Sequence, residues 1–257
     1  MLKNFCYEPF IRVIKMNMAN IPDISVVILC YQTGHRIHGF LKKVIHNLET
    51  ITTNWEIVLV GNYIEGRNDD TPLVVKEIAI KNSKIKAVAL PKQGWMGWDA
   101  RTGLDQCTGK TIAFIDGDEQ MNAEDIVKAY KLLIDFQLDI VKPYRKTRDD
   151  SWIRRVNSYI FNVIYNILFP GYLVLDVNSK PKIFTDKAFK QLDLKSDDWF
   201  LDAEIMIHAR RLGLRFFEFP TSFQRAIYRK SFVRFSAALE FIFNLLKARI
   251  REYTIKR

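Results

Sequence analysis

Asp116 and Asp118 stand two residues apart at the end of the apolar run Thr111-Ile112-Ala113-Phe114-Ile115, with Gly117 between them and Glu119-Gln120 after them. Along an extended strand successive side chains alternate between faces. The two carboxylates therefore share one face at the strand's C-terminal end, and Gly117 leaves the backbone open to close approach. Such a pair suits a hard divalent cation. Mg2+ and Mn2+ take oxygen ligands and are commonly held by one or two carboxylates together with substrate phosphates, which makes the pair a candidate phosphate clamp. Asp and Gly are also turn residues, so the pair by itself leaves an ordinary strand-ending turn open.

Two further pairs carry chemistry in their spacing. Arg154 and Ser158 are four residues apart, so on a helix they face one point, and a planar guanidinium grips phosphate oxygens in bidentate fashion. Asp202 and Glu204 sit in the aromatic segment Trp199-Phe200-Leu201-Asp202-Ala203-Glu204. A hydroxyl nucleophile needs a carboxylate base, whose proton affinity such surroundings raise; a phosphate monoester is already anionic and needs none. The pair therefore bears on the kind of acceptor, with acids opening a helix against its dipole as the structural alternative. The four histidines form no HExxH arrangement, and Cys6, Cys30 and Cys107 are widely separated. No metal-ligand spacing or disulfide framework results, which points to reduced thiols and a cytoplasmic protein.

These residues need a scaffold, and the pattern of the chain supplies one. Ser25-Val26-Val27-Ile28-Leu29-Cys30 is a continuous apolar run of the kind a buried parallel strand shows. A helix over 37–50, a strand over 56–60, a helix over 72–82 and a strand over 85–90 follow, then the strand that ends at Asp116. Strand and helix alternate as in right-handed βαβ units with helices on both faces of a parallel sheet. In such sheets ligands bind beyond the carboxyl ends of the strands. After Gln120 the pattern predicts a helix over 123–136, a short strand over 139–143 and longer helices. Residues 156–175 carry no charge, but a helix over 154–169 would be roughly 24 Å long. That is short of a bilayer core and predicts an amphipathic or buried helix.

The net charge of +10 is unevenly placed, +7 of it lying between Arg225 and Arg257, which suggests a tail facing an anionic partner. Phe232, Phe235, Leu239, Ile242, Phe243, Leu246 and Ile250 recur at helical spacing there, with Arg234, Lys247, Arg249 and Arg251 among them. Such a helix can lie in a membrane interface or contribute a face to the core. No nucleic-acid motif accompanies the charge. The first 23 residues lack the apolar stretch of a secretory signal.

The series running from Gly94-Trp95-Met96-Gly97 through Thr108-Gly109 and Asp116-Gly117-Asp118-Glu119-Gln120 resembles the family 2 glycosyltransferases, in particular the branch similar to dolichyl-phosphate mannose synthase. The likeness continues through Ala123-Glu124-Asp125-Ile126, Arg145, Arg154-Arg155, Ser158, Asn162, Asp176, Ser179, Asp202, Glu204 and Arg225, and covers residues 24 to about 250. It implies a GT-A fold over 24–231, preceded by an extension over 1–23 and followed by a basic amphipathic helix and tail over 232–257. It implies a metal-dependent, inverting transfer of a hexose from a nucleotide diphosphate sugar to a polyprenyl phosphate. The alternatives are transfer to a glycan hydroxyl in surface polysaccharide synthesis, or a non-catalytic carbohydrate-binding relative. Asp116, Asp118 and Gln120 then match the positions facing Mg2+ or Mn2+ and the diphosphate. Tyr31, Asn62, Gly94, Asp99, Arg101 and Asp116 match donor-binding positions. Asp118, Arg154, Ser158, Asp202, Glu204 and Arg225 match catalytic ones, with Arg229 and Lys230-Ser231 in a loop over the site. The protein would work peripherally on the cytoplasmic face of a membrane. The sequence departs from the pattern after the first two strands, where Tyr31-Gln32-Thr33-Gly34 and Gly61-Asn62-Tyr63 replace the usual acidic motifs and Asn62 stands where an acid often reads the base.

Overall fold

The computed structural model describes residues 21–149, 152–224 and 235–255. Ile24–Leu29 (β1) is buried along its whole length, as a strand with no polar face must be at the centre of a sheet covered on both sides. Its neighbours are Trp55–Val60 (β2) and Thr111–Asp116 (β4), both parallel to it, and Ile85–Val88 (β3) adds beyond β2. The second half completes the sheet with Ile140–Arg148 (β5), Lys182–Thr185 (β6) and Phe216–Phe223 (β7), giving the order β3-β2-β1-β4-β6-β5-β7. β6 runs antiparallel to both β4 and β5, and β7 runs parallel to β5. Six strands therefore point one way and β6 alone is reversed.

Alternation along β1 builds two cores. Val26 and Ile28 face one side with Ile57, Ala113 and Ile115, covered by Ile37–Glu49 (α1), Thr71–Lys81 (α2) and Glu124–Asp135 (α4) through Phe40, Val44, Val75 and Ile126. Val27 and Leu29 face the other with Val58, Ile112 and Phe114. That side is covered by Met96–Leu104 (α3), Trp152–Leu168 (α5), the short Asp186–Phe189 (α6), Leu201–Arg211 (α7) and Phe235–Ile255 (α8).

The first four strands and the helices between them follow the sequence pattern to within two residues. The second half differs in two ways: β5 runs on to Arg148 rather than ending at 143, and β6 and β7 are additional strands. α8 lends a face to the core, where Leu245 is fully buried and the Phe241 ring tilts against that of Phe161 of α5 with centroids 5.5 Å apart. β7 contains Pro220, which an edge strand tolerates. The uncharged stretch 156–175 is an amphipathic helix and a return loop. Asn162 and Asn166, on one side of α5, exchange hydrogen bonds with the backbone of Val174, Leu175 and Val177 and fasten that loop to the helix. Among the described residues no helix is long and apolar enough to cross a membrane.

This topology gathers the C-terminal ends of six strands, and the N-terminal end of the reversed β6, along one edge. The segments leaving that edge carry Tyr31, Asn62, Lys92, Asp116, Arg154 and Lys180.

Candidate active site

Asp116 is the last residue of β4, partly exposed, and sits opposite Leu29 at the end of β1. The turn after it packs hard on β1. The Gly117 amide donates to the Leu29 carbonyl at 2.9 Å, and a Cβ at Gly117 would lie 3.1 Å from that oxygen. The glycine admits the end of β1, where the sequence left room for an unspecified close approach. Asp118 Oδ1 accepts from the Gln120 amide at 3.2 Å, and Glu119, at φ 60°, pairs with Lys43 of α1 at 2.6 Å. Gln120 turns away from the pair: its side-chain amide donates to the Gln224 carbonyl at 3.1 Å, while the Gln224 amide donates to the Gln120 carbonyl at 2.9 Å. The expected third ligand thus fastens the turn to the end of β7.

Behind Asp116 lies a buried charge cluster. The antiparallel register sets Phe114 opposite Lys182, and continuing it two residues brings Lys180 to Asp116. The Lys180 ammonium is 3.4 Å from Asp116 Oδ2 and 3.0 Å from Asp202 Oδ2. Asp202, in the first turn of α7, also accepts from Lys182, which donates to the Ser179 carbonyl at 2.9 Å. Burial alone would raise the Asp202 carboxyl, but Lys180 and Lys182 more than offset it and hold it below the usual range. Burial likewise opposes charge on Lys180, yet Asp116 and Asp202 raise it above the ordinary lysine value. Burial dominates at Lys182 and pushes it down to about 7. Asp202 is therefore an ion-paired anchor, not the proton-hungry base that its aromatic setting suggested.

At the ends of β1 and β2 a second polar cluster forms. Asn62, fully buried, donates to Asp99 Oδ1 at 3.0 Å and Thr102 Oγ1 at 2.9 Å and accepts from the Leu90 amide at 2.9 Å. Asp99 also pairs with Lys92, whose ammonium lies 4.4 Å over the Tyr31 ring. Burial pushes the Asp99 carboxyl up and the Lys92 ammonium down. Asn62 thus holds in place an acid supplied from α3, and Tyr31, Asn62 and Asp99 come together as the sequence expected.

Gly94, Arg101 and Glu204 do not join them. The Trp95 and Trp98 amides donate to the Asp197 carbonyl, and the Gly97 amide to that of Asp198. A Cβ at Gly94 would meet the Asp197 carbonyl oxygen at 2.7 Å. The glycines let α3 close on that segment. Arg101 donates to the Lys195 carbonyl at 3.0 Å and pairs with Asp197, while Glu204 accepts from the Lys195 and Ser196 amides at 2.9 to 3.1 Å. Arg101 and Glu204 thus pin the 195–198 segment, and Gly94 lets α3 approach it closely.

Arg154 and Ser158 lie one turn apart near the start of α5, Arg154 exposed and Ser158 half-buried, on the helix that follows β5 from the ligand edge. Arg225, Arg229, Lys230 and Ser231 lie outside the described residues, as do residues 1–20; Gln224, which precedes Arg225, is at the Gln120 turn. Lys92, Lys180 and Lys182 were not singled out from the sequence. The signal existed in Ser179-Lys180-Pro181-Lys182-Ile183-Phe184, where two alternate lysines enter an apolar strand and must find carboxylates once buried.

The family model described as glycosyl transferase family 2 matches residues 25–195. The chain is 26% identical over 148 residues to the undecaprenyl-phosphate 4-deoxy-4-formamido-L-arabinose transferase of Aeromonas hydrophila subsp. hydrophila, covering 57% of this chain and 44% of that protein. It is 23% identical over 177 residues to the dodecaprenyl-phosphate galacturonate synthase of Rhizobium johnstonii, covering 68% of this chain and 51% of that one. The chain thus spans about half the length of these relatives. Among solved structures, glucosyl-3-phosphoglycerate synthase from Mycobacterium tuberculosis, in complex with Mn2+, UDP and glucosyl-3-phosphoglycerate, superposes with a TM-score of 0.65 at 17% identity, over 97% of this chain and 86% of that one. That likeness shows the fold, a mostly parallel α/β sheet of the GT-A type. With the family match running through most of the sheet and both carboxylates of the β4 turn, the chain belongs to glycosyl transferase family 2.

Proposed function

We propose that this chain is a metal-dependent, inverting glycosyltransferase that moves a hexose from a nucleotide diphosphate sugar to a polyprenyl phosphate. The observation that carries the reading is the placement of Asp116 and Asp118 at the ligand edge of the sheet, along which Asn62, Lys92 and Asp99 form a buried polar cluster beside the partly exposed Tyr31. The donor set fits Mg2+ or Mn2+. The two carboxylates offer hard oxygen ligands, and among the described residues no group of three or more His, Cys, Asp or Glu could hold a metal, so diphosphate oxygens and water would complete the shell. When bound, the cation would neutralise charge on the departing diphosphate. The protein's own part is to fix the carboxylates through Lys180 and the Gly117 turn and to receive the nucleotide against Tyr31 and Asp99. Arg225 is proposed as a further cation toward the donor diphosphate.

The acceptor follows from what the carboxylates do. Asp202 is paired with two lysines and Glu204 holds two backbone amides, so neither is poised to take a proton from a sugar hydroxyl. Arg154 and Ser158 suit an anionic acceptor, and the two relatives are named as acting with undecaprenyl phosphate and dodecaprenyl phosphate. A lipid acceptor places the work at a membrane. α5 exposes Trp152, Tyr159 and Ile167 and α8 exposes Phe243, Leu246 and Ile250, beside the exposed Arg154, Arg155, Lys247 and Arg251. On α8 these apolar and basic residues share one face, as an interfacial helix needs. The protein is proposed to dock on the cytoplasmic face.

Substituting Arg154 and Glu204 in turn tests the acceptor. Arg154→Ala is expected to raise the acceptor concentration required steeply, while Glu204→Gln keeps substantial turnover. A general base is worth about a hundred- to ten-thousandfold. A loss of that size in folded Glu204→Gln, with Arg154→Ala near normal, would point to a hydroxyl acceptor instead.

A further inference from the structure

Lys180 is a buried cation placed against the carboxylate that the metal must use. Its side chain is 6% exposed, its ammonium lies 3.4 Å from Asp116 Oδ2, and Asp202 holds it there from the far side at 3.0 Å. Asp202 is shared between Lys180 and Lys182, so it is not given over to Lys180 alone. The ammonium cannot swing away into water, since it sits above the Phe114 ring at 5.8 Å within the sheet.

We infer that Lys180 is a positioning residue that makes cation binding at Asp116 depend on the diphosphate. The inference rests on Asp116 and Asp118 being the metal-bearing pair. In the protein alone, a divalent cation at Asp116 faces the repulsion of a fixed charge a few ångströms away, in surroundings where such repulsion is weakly screened. A diphosphate arriving with the cation supplies negative charge to both the metal and the ammonium, and the repulsion turns into attraction. Metal and diphosphate then bind together rather than in sequence, and release of the diphosphate loosens the metal. Lys180 also clamps Asp116 in one orientation, so the site is preformed before either arrives. Binding energy is thereby withheld from the bare ion.

Mn2+ binding followed by electron paramagnetic resonance, with and without inorganic pyrophosphate, reads this directly and needs neither the sugar nor turnover. The parent is expected to bind Mn2+ weakly alone and much more tightly with pyrophosphate. Lys180→Met should bind Mn2+ alone at least about tenfold more tightly than the parent and should lose most of the enhancement by pyrophosphate. Asp202→Asn, which removes the competing carboxylate and leaves the ammonium to Asp116, should move the other way and weaken Mn2+ binding without pyrophosphate; it keeps the test decisive if Lys180→Met does not fold. Asp118→Asn separates the inference from the reading beneath it. If Asp118→Asn abolishes binding while folded Lys180→Met matches the parent, or Asp202→Asn tightens binding, Lys180 has no such role. If the parent binds no Mn2+ even with pyrophosphate, the metal site and the inference fall together.

Discussion

A carboxylate at a strand end acquires meaning from what lies opposite it. Asp116 was legible as a strand end because an apolar run stopped by an Asp-Gly pair is a local fact, whereas the period of two does not carry on to Asp118, since β4 ends at Asp116 and Gly117-Asp118 form the turn left open as the alternative. Lys180 and Lys182 were not legible, because each meets its carboxylate only after the fold has brought distant segments together: Lys180 is 64 residues from Asp116 and reaches it across the β4–β6 pairing. The same holds for Gly94 and Arg101, whose partners in the 195–198 segment lie some hundred residues away. Their roles in positioning that segment were invisible to spacing. Lys92 is only seven residues from its partner Asp99, but the loop and helix start between them hide the pairing from simple spacing. At this scale Asp118→Asn should leave the fold intact and lower Mn2+-dependent affinity for a nucleotide diphosphate by at least about tenfold, since a neutral amide is a poorer ligand for a hard cation. Calorimetric titration decides it, and equal affinity in mutant and parent would remove Asp118 from the metal.

Elements place these residues through locks that are themselves ionic. Arg145 of β5 donates to both oxygens of Asp176 at 2.6 and 2.7 Å, and Lys142, fully buried, bonds Ser179 Oγ at 3.1 Å and Glu218 of β7 at 2.5 Å. The 176–180 segment, which ends in Lys180, is held by these contacts. Burial would raise the Asp176 carboxyl, but Arg145 and Lys142 hold it far below the usual range. A carboxyl whose folded pKa is depressed contributes stability above its unfolded pKa, near about 4, and loses it as pH falls towards the folded value. Urea midpoints should therefore drop between about pH 5 and about pH 3 in the parent, and less in Asp176→Asn, which already lacks the pair and should be less stable at neutral pH by about 3 to 5 kcal/mol. An undiminished acid slope in Asp176→Asn would show that other groups govern it. The first four strands were readable because each is an apolar run bounded by turn residues. β6 and β7 were not: β6 is four residues with two lysine neighbours at its start, and β7 carries Glu218, Pro220 and Thr221, a pattern that only its place at the edge and its pairing with β5 make into a strand.

Over the whole molecule the two helical layers differ in what they leave uncovered. α8 turns Phe241, Leu245 and Ala248 to the core, and Glu252 is tied by Arg210 of α7 and by Arg249 at 2.7 Å, while Phe243, at 65% exposed, and Ile250 face outward. The tail thus lends one face to the core, as one of the two expectations had it, and the opposite face is the one proposed to meet lipid. Phe232 and Arg234 of the expected stripe lie outside the described residues. Sedimentation with anionic vesicles should exceed that with neutral ones and fall in high salt. Because each interfacial basic residue is worth roughly 1 kcal/mol, Lys247→Glu with Arg251→Glu should weaken it by at least about tenfold; equal binding to both vesicle types would leave these faces to another use. The fold and the polar edge of its sheet support the proposed reaction. Purified protein, given a panel of labelled nucleotide diphosphate sugars with Mn2+, should be offered undecaprenyl phosphate and, in parallel, the same polyprenol without its phosphate. A lipid-linked sugar formed only from the phosphate, and only with the metal present, is the expected result; transfer to the free alcohol, or transfer unaffected by chelation of the metal, would contradict it.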